Sequence, residues 1–302
     1  QRSGRTPTPR EGGEGLLVVL NRLIRELDAE PEAIGLALPG FVNTRTRSTV
    51  FLPNLPGEWA DFPIGERLER DTGAVVYVLN DARAFGHAEL LVGAGQGERN
   101  ALFLTLGTGV GGAIAREGSI LVGEVDAIGE MGHVSVVVDG EQCGCGGRGC
   151  LETVASGSAI VASVTRAFLT SLSQELNHVT GNELAKLTPE AIASAARAGD
   201  VWALAAFERA GRYLGAAAGD ACALMQLNSV IVGGGLSPAF EFFAPSMRAV
   251  LSQRTSVLGE VSVRKAKWGV EAGAIGAGRG KAAACSRGRL TVSFRGRLSV
   301  LG

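Results

Sequence analysis

The stretch AVVYVLNDARAFGHAELL, residues 74–91, runs as an apolar strand that stops on two polar residues, Asn80 and Asp81, and passes straight into a helix over 82–91. The same grammar returns along the chain. AIGLALPG (33–40) reads as a buried strand ending in a Pro-Gly turn, while ALFLTLGTGVGGAI (101–114) and SVIVGGGLS (229–237) read as strands running into glycines. Leu16, Leu20, Leu23 and Leu27, widened by Leu17 and Ile24, make an amphipathic helix of 14–27. Thr188, Pro189 and Glu190 open a helix ending near Gly199, and 201–227 is a longer one. Helices from about 239 and 270 bracket a strand near 261–265. Strands alternating with helices predict an α/β architecture.

The chain has 302 residues and a formal net charge of −1. That length suits one large or two moderate domains, and that charge marks no nucleic-acid or membrane-surface binder. The 44 glycines, beside only 5% aromatic residues, indicate many tight turns of the sort that hold phosphorylated ligands. No apolar run is as long as a membrane span, and QRSGRTPTPREGGEG lacks the apolar core of a signal peptide. The expectation is a cytoplasmic, reducing setting, where clustered cysteines serve as metal ligands more often than as disulfides.

GHVSVVVDGEQCGCGGRGCLET (132–153) gathers three of the five cysteines and one of the three histidines. His133, Cys143, Cys145 and Cys150 supply the one imidazole and three thiolates that a structural zinc ion accepts in a closed tetrahedron. Such an ion holds a loop with too little apolar surface to fold alone. The glycines of CGCGGRGC let the backbone wrap an ion, and Arg148 is placed to offset thiolate charge. Free buried thiols or a disulfide remain the alternative, although a bridge from Cys143 to Cys145 would be strained. Cys222 and Cys285 lie in other contexts and are not read as ligands.

LGTGVGG (106–112) contains the dinucleotide fingerprint in form only. The following AIAREGSILVG (113–123) alternates and folds at Glu117-Gly118, so it predicts a hairpin where a Rossmann turn needs a helix. What remains is a Gly-Thr-Gly turn offering N–H groups and the Thr108 hydroxyl to an anion. VGGGLS (232–237) is a second bare turn, against which a flat adenine ring could lie. Either is equally readable as an ordinary glycine-rich turn. Asn80 and Asp81 sit where an open α/β sheet places function, and a carboxylate there can take a proton from a hydroxyl attacking phosphate. Asp81 is equally readable as the cap of the helix from 82. Glu130 and Glu152 flank the cysteine cluster and suit sugar hydroxyls; the alternative is two solvated acids.

PGF, LPNLPGEW, NDARAFGHAE, LTLGTGVGG, GEMGH, CGCGGRGCLETVASG and VIVGGGLS stand in the order found in the ROK family of sugar kinases, glucokinases prominent among them, and sugar-responsive repressors. The resemblance runs from about Thr6 to Gly278. It implies the actin-like ATPase (ribonuclease H-like) fold, with two α/β domains around a cleft: a small domain over 1–99 joined by the helix at 270–278, and a large one over 100–269 carrying the zinc loop. The resemblance makes Asp81 the catalytic base and Gly40, Asn80, Asp81, Glu130, His133 and Glu152 the sugar contacts. It places Thr108 and Gly109 on a phosphate loop, and Gly234 and Gly235 on the adenosine side. His133 would hold zinc through one ring nitrogen and sugar through the other. ATP, Mg2+ and a structural Zn2+ follow as cofactors, and a homodimer or homotetramer as the assembly.

Two departures accompany the resemblance. Family kinases open with a strand, an Asp-x-Gly-Gly-Thr phosphate loop and a second strand, and no such loop occurs here. The small-domain sheet is therefore expected to lack its first two strands and to expose an edge, and the chain to bind sugar better than it phosphorylates it. Residues 279–302 carry six basic residues and no acid, and are expected to be a solvated or spurious extension. Glucose phosphorylation is the leading expectation. An N-acetylhexosamine kinase, for N-acetylglucosamine or N-acetylmannosamine, a fragment of a ROK repressor without its DNA-binding domain, and a sugar-binding protein without catalysis are the rivals.

Overall fold

Leu16, Leu20 and Ile24 recur along one side of α1 (Gly12–Leu27), and all three are sealed from solvent. They pack with Ile34, Leu36 and Leu38 of β2 (Ala33–Leu38), Val76 and Val78 of β5 (Val75–Asn80), and Ile64 and Leu68 of α2 (Ile64–Thr72). The period of two in the strands turns Ala37 and Leu79 to the other face. There they meet Ala84 of α3 (Asp81–Val92) and Ala277 of α10 (Ala272–Arg279). The computed structural model that shows this describes all residues except 1–2, 8, 28–30, 53–56, 124–125, 255–256, 258, 270, 280–288, 295–296 and 302.

The chain divides into two compact units, one made of Gln1–Gly97, Ala113–Gly129 and Val270–Gly302, the other of Glu98–Gly112 and Glu130–Gly269. The expected boundary between residues 99 and 100 lies two residues beyond the first of these breaks. The sequence reading kept 113–129 with the large domain and set 279–302 apart, and the structure differs on both.

In the first unit the sheet order is β1-β12-β11-β2-β5, with β1 at Ser3–Pro7, β11 at Arg289–Phe294 and β12 at Arg297–Leu301. Strands β11, β2 and β5 run parallel, and β12 is antiparallel to both β11 and β1. The exposed edge expected beside β2 is thus filled, because the C-terminal residues form strands there. The physical reason is a hairpin pattern hidden by charge. Leu290, Val292 and Phe294 alternate with polar residues, as do Leu298 and Val300, on either side of Arg295-Gly296. A separate antiparallel pair, β3 (Phe41–Asn43) and β4 (Ser48–Phe51), follows the Pro39-Gly40 turn.

The second unit is built on β10 (Ser262–Lys265), β9 (Ser229–Gly233) and β6 (Ala101–Leu106), which are parallel neighbours in a sheet of order β10-β9-β6-β7-β8. Strand β7 (Val110–Arg116) runs out of this unit into the first, where its end pairs with β8 (Ser119–Ile120) in the hairpin read at Glu117-Gly118. The helices are α4 (Glu152–Ala155), α5 (Gly157–Leu169), α6 (Gln174–Thr180), α7 (Pro189–Arg197), α8 (Val201–Met225) and α9 (Phe240–Ser252). Thr188 caps α7 through its hydroxyl, and Asp200 caps α8 by accepting from Trp202 and Ala203.

Helix α10 approaches β2 and α3 as closely as it does because glycine stands at the contacts. A Cβ at Gly276 would lie 1.6 Å from the Ala84 carbonyl oxygen, and one at Gly35 would lie 2.4 Å from that of Ala277. We therefore expect Gly276→Ala to cost about 2–3 kcal/mol of unfolding free energy. Gly269→Ala, where a Cβ meets nothing within 4 Å, should stay within roughly 0.5 kcal/mol. Equal denaturation midpoints for the two variants would remove the close approach from the account.

Candidate functional site

Strand β5 ends at Asn80, which is 4% exposed and occupies the cap of α3. Its Oδ1 accepts from the backbone N of Ala82 at 2.9 Å and of Arg83 at 3.3 Å, and from Arg83 Nη1 at 3.0 Å. Its Nδ2 donates to the Gly40 carbonyl at 2.8 Å, tying the strand end to the Pro39-Gly40 turn, where Gly40 has a φ of +77°. The capping role considered for Asp81 thus belongs to Asn80. Asp81 is the first residue of α3 and half-buried. Asn80 has little of its side chain left to offer a ligand beyond the second Nδ2 hydrogen.

A buried pair of charges, not singled out in the sequence, stands behind this corner. Arg83 Nε lies 3.5 Å from Asp126 Oδ1, with side-chain exposures of 1% and 0%. Asp126 Oδ2 also accepts from the Asn80 backbone N at 2.6 Å. The available signal was an arginine between alanines, two residues beyond Asp81, in a helix whose neighbours are small and apolar.

In the second unit, residues 131–153 form a loop held by backbone bonds. Cys143 N donates to Gly147 O at 2.8 Å, Gly146 N to Cys143 O at 3.0 Å and Leu151 N to Val134 O at 2.8 Å. The bonds bring His133, at the end of a short 3-10 turn, to Cys143, Cys145 and Cys150, and one donor atom from each lies within 4.8 Å of all the others. His133 Nδ1 is 3.7 Å from Cys143 Sγ, and the Cys145 and Cys150 sulfurs are 3.6 Å apart. A tetrahedron with metal–sulfur bonds of about 2.3 Å and a metal–nitrogen bond of about 2.0 Å has edges of roughly 3.5–3.8 Å. The four residues therefore fit a metal ion. Cys143, Cys145 and Cys150 are free thiols, as is Cys222 on α8, while Cys285 lies outside the described residues. Arg148 Nη1 donates to the Gly140 carbonyl at 3.2 Å.

Burial, followed by the neighbouring thiols, pushes the Cys150 thiol up to about 12. The Gly147 N–H, 3.4 Å from its sulfur, draws Cys145 down. His133 turns its other ring nitrogen, Nε2, toward Glu130 Oε2 at 4.0 Å. Glu152 opens α4 two residues beyond Cys150, and its Oε2 accepts from Val110 N at 3.0 Å. A Cβ at Gly109 would lie 2.1 Å from that oxygen. Glu152 therefore sits against the Gly-Thr-Gly turn.

That turn is fixed by α5. Gly157 N donates to Gly107 O at 2.8 Å, and Ser158 Oγ to Thr108 O at 3.0 Å, leaving the Thr108 side chain exposed. The second glycine turn adjoins the first through Leu106. Leu236 N donates to Leu106 O at 3.0 Å, and a Cβ at Gly234, whose φ is +90°, would lie 2.3 Å from that same oxygen. Thr108, Gly109, Gly234 and Gly235 thus belong to one neighbourhood of the second unit, together with Glu152.

A model of the ROK family matches residues 1–279. A glucokinase from Halalkalibacterium halodurans is 35% identical over 242 residues, 77% of this chain and 72% of that protein. An N-acetylmannosamine kinase from Haemophilus influenzae is 29% identical over 89% of this chain and 84% of its own length. The crystal structure of a ROK family glucokinase from Streptomyces griseus in complex with glucose and AMPPNP superposes with a TM-score of 0.77 at 33% identity, covering 89% of this chain and 88% of that one.

A metal ion must displace protons from these thiols, the buried Cys150 above all, so occupancy should fall as pH falls. Elemental analysis after dialysis at pH 8 and at pH 5 should find about one equivalent and then a clear deficit. Cys150→Ser should hold none tightly at either pH. Full loading of that variant would exclude the four-residue site.

Proposed function

Because the chain belongs to the ROK family, we propose that it is an ATP-dependent hexose kinase, with glucose as acceptor and glucose 6-phosphate as product. The observation that carries this reading is the placement of Asp81: an acid at the C-terminal end of a parallel strand, on a helix turn whose cap is another residue. In this reading Asp81 accepts the proton of the sugar hydroxyl as that oxygen attacks the γ-phosphorus of ATP. A phosphorus–oxygen bond to the sugar forms, the bond to the bridging oxygen breaks, and ADP leaves with the electron pair. Asn80 acts mainly by holding the turn that carries Asp81.

Glu130, His133 and Glu152 read sugar hydroxyls. The exposed Thr108, with Gly109, takes the phosphate side of the nucleotide, and Gly234 and Gly235 take the adenosine side. The adjacency of these two turns across Leu106 supports that division. The metal is assigned as zinc, which when bound supplies a rigid anchor for the loop and takes no part in bond making. His133 Nδ1 faces the sulfurs and Nε2 does not, so its second nitrogen is left for the sugar. Mg2+ enters as the counter-ion of the nucleotide, and no residue of this chain is assigned to it.

The second reading, an N-acetylhexosamine kinase, draws on the Haemophilus relative, which aligns over more of this chain than the Halalkalibacterium glucokinase does. A coupled assay over glucose, mannose, N-acetylglucosamine and N-acetylmannosamine separates the two. We expect glucose to have the highest kcat/KM, and a tenfold preference for an N-acetylated sugar would reverse the assignment. Asp81→Asn should keep the glucose Kd, read by calorimetry, within about threefold and lower kcat by roughly 100-fold or more. Unchanged turnover in that variant would remove Asp81 from the base role.

A further inference from the structure

We propose that Arg83 and Asp126 are positioning residues for phosphoryl transfer, a buried ion pair that holds Asn80 and hence the helix turn on which Asp81 stands. The inference rests on the reading of Asp81 as the base. Asn80 is gripped from two sides: Asp126 Oδ2 accepts from its backbone N at 2.6 Å, and Arg83 Nη1 donates to its side-chain Oδ1 at 3.0 Å. The two gripping side chains lie 3.5 Å apart, with 1% and 0% exposure.

A cap alone does not need this. Asn80 Oδ1 already receives the Ala82 and Arg83 backbone N–H groups, which satisfies the opening of α3 without any charge. Burying a guanidinium and a carboxylate is weak as a source of stability, since an apolar pair of similar volume often does as well. What the charged pair adds is direction. The guanidinium fixes the rotation of the Asn80 amide, and the carboxylate fixes the strand's last N–H, so both ends of one residue are set before a substrate arrives. Asp126 does this from a φ of +51°, a left-handed backbone that Asp and Asn tolerate better than other side chains do. A small angular error at Asn80 would pass directly to Asp81, its neighbour, and a misplaced base costs turnover more than it costs sugar affinity.

The test compares the parent chain with Asp126→Asn, which keeps shape and an acceptor for Asn80 N, and with the double variant Arg83→Met/Asp126→Asn, which removes both charges. Thermal midpoint, glucose Kd, kcat, and hydrogen exchange of a peptide spanning 78–86 are read for each. We expect the double variant to fold with a midpoint near the parent's and to keep its glucose Kd within threefold. Its kcat should fall at least tenfold, and exchange across 80–84 should quicken at least tenfold. Asp126→Asn should show the same loss of kcat in smaller measure. A folded double variant with kcat within twofold of the parent, or with unchanged exchange across 80–84, overturns the proposal and leaves the pair a packing feature. A parent chain that phosphorylates no sugar would instead count against the kinase reading, and the exchange result would still decide whether the pair orders this turn.

Discussion

Asn80 joins the end of β5 to the first turn of α3, to the Pro39-Gly40 turn and to Asp126 through hydrogen bonds of its own. Its oxygen closes the first turn of α3, its nitrogen reaches the carbonyl of Gly40, and its own N–H is held by Asp126. Strand β5, helix α3, the Pro39-Gly40 turn and Asp126 therefore meet at one residue. Both faces of the sheet behind it are apolar, with Leu36 and Val78 on one and Ala37 and Leu79 on the other, so the strand itself is rigid. Rigidity of the strand does not by itself orient what projects from its end. The amide does that, and Asp81 inherits the orientation.

The loop of His133 and the three cysteines meets the same difficulty by other means. Residues 132–150 hold few large apolar side chains, and Val138 among them is 88% exposed. Its backbone crosses itself tightly, to the point that a Cβ at Gly149 would lie 1.6 Å from the Val137 carbonyl oxygen. Short backbone bonds set the course of the loop, and the three sulfurs with His133 Nδ1 define a point about which it can be locked. The consequence falls on the neighbours in sequence. Glu130 and Glu152 flank the cluster, and Glu152 is drawn onto Val110 N, beside the Gly-Thr-Gly turn.

Much of this was legible beforehand, and the reasons differ by element. Strand β5 and α3 were readable because a run of apolar residues, a polar stop and a helical period are local signals. The cluster of His133, Cys143, Cys145 and Cys150 was readable because cysteine and histidine are scarce here, so their grouping carried information. The Arg83–Asp126 pair was not readable, since the two lie 43 residues apart with no shared period, and a sequence shows no burial. The C-terminal strands were not legible because six basic residues give that segment the composition of a solvated tail, although Leu, Val and Phe alternate within it as in a strand. The cap was open at Asp81 as an alternative and lies at Asn80, because either residue type caps well and only the hydrogen bonds say where the helix begins.

The two units thus converge on one constraint. An apolar core holds strands and helices by area, which is non-directional and ends where the strands end. The groups proposed for chemistry, Asp81, Glu152, His133 and the two glycine turns, all lie beyond the strand ends. Each is secured by directional contacts: an amide with a buried ion pair in one unit, and thiols with an imidazole, a carboxylate on a strand N–H and the first turn of α5 in the other. Directional contacts tolerate little displacement, which suits groups that must meet a reacting atom within tenths of an ångström. The same intolerance explains why glycine recurs where those segments touch. At Gly109, Gly149 and Gly234 a single added carbon would land within 2.3 Å of a carboxylate or carbonyl oxygen, breaking the contact that the core cannot replace.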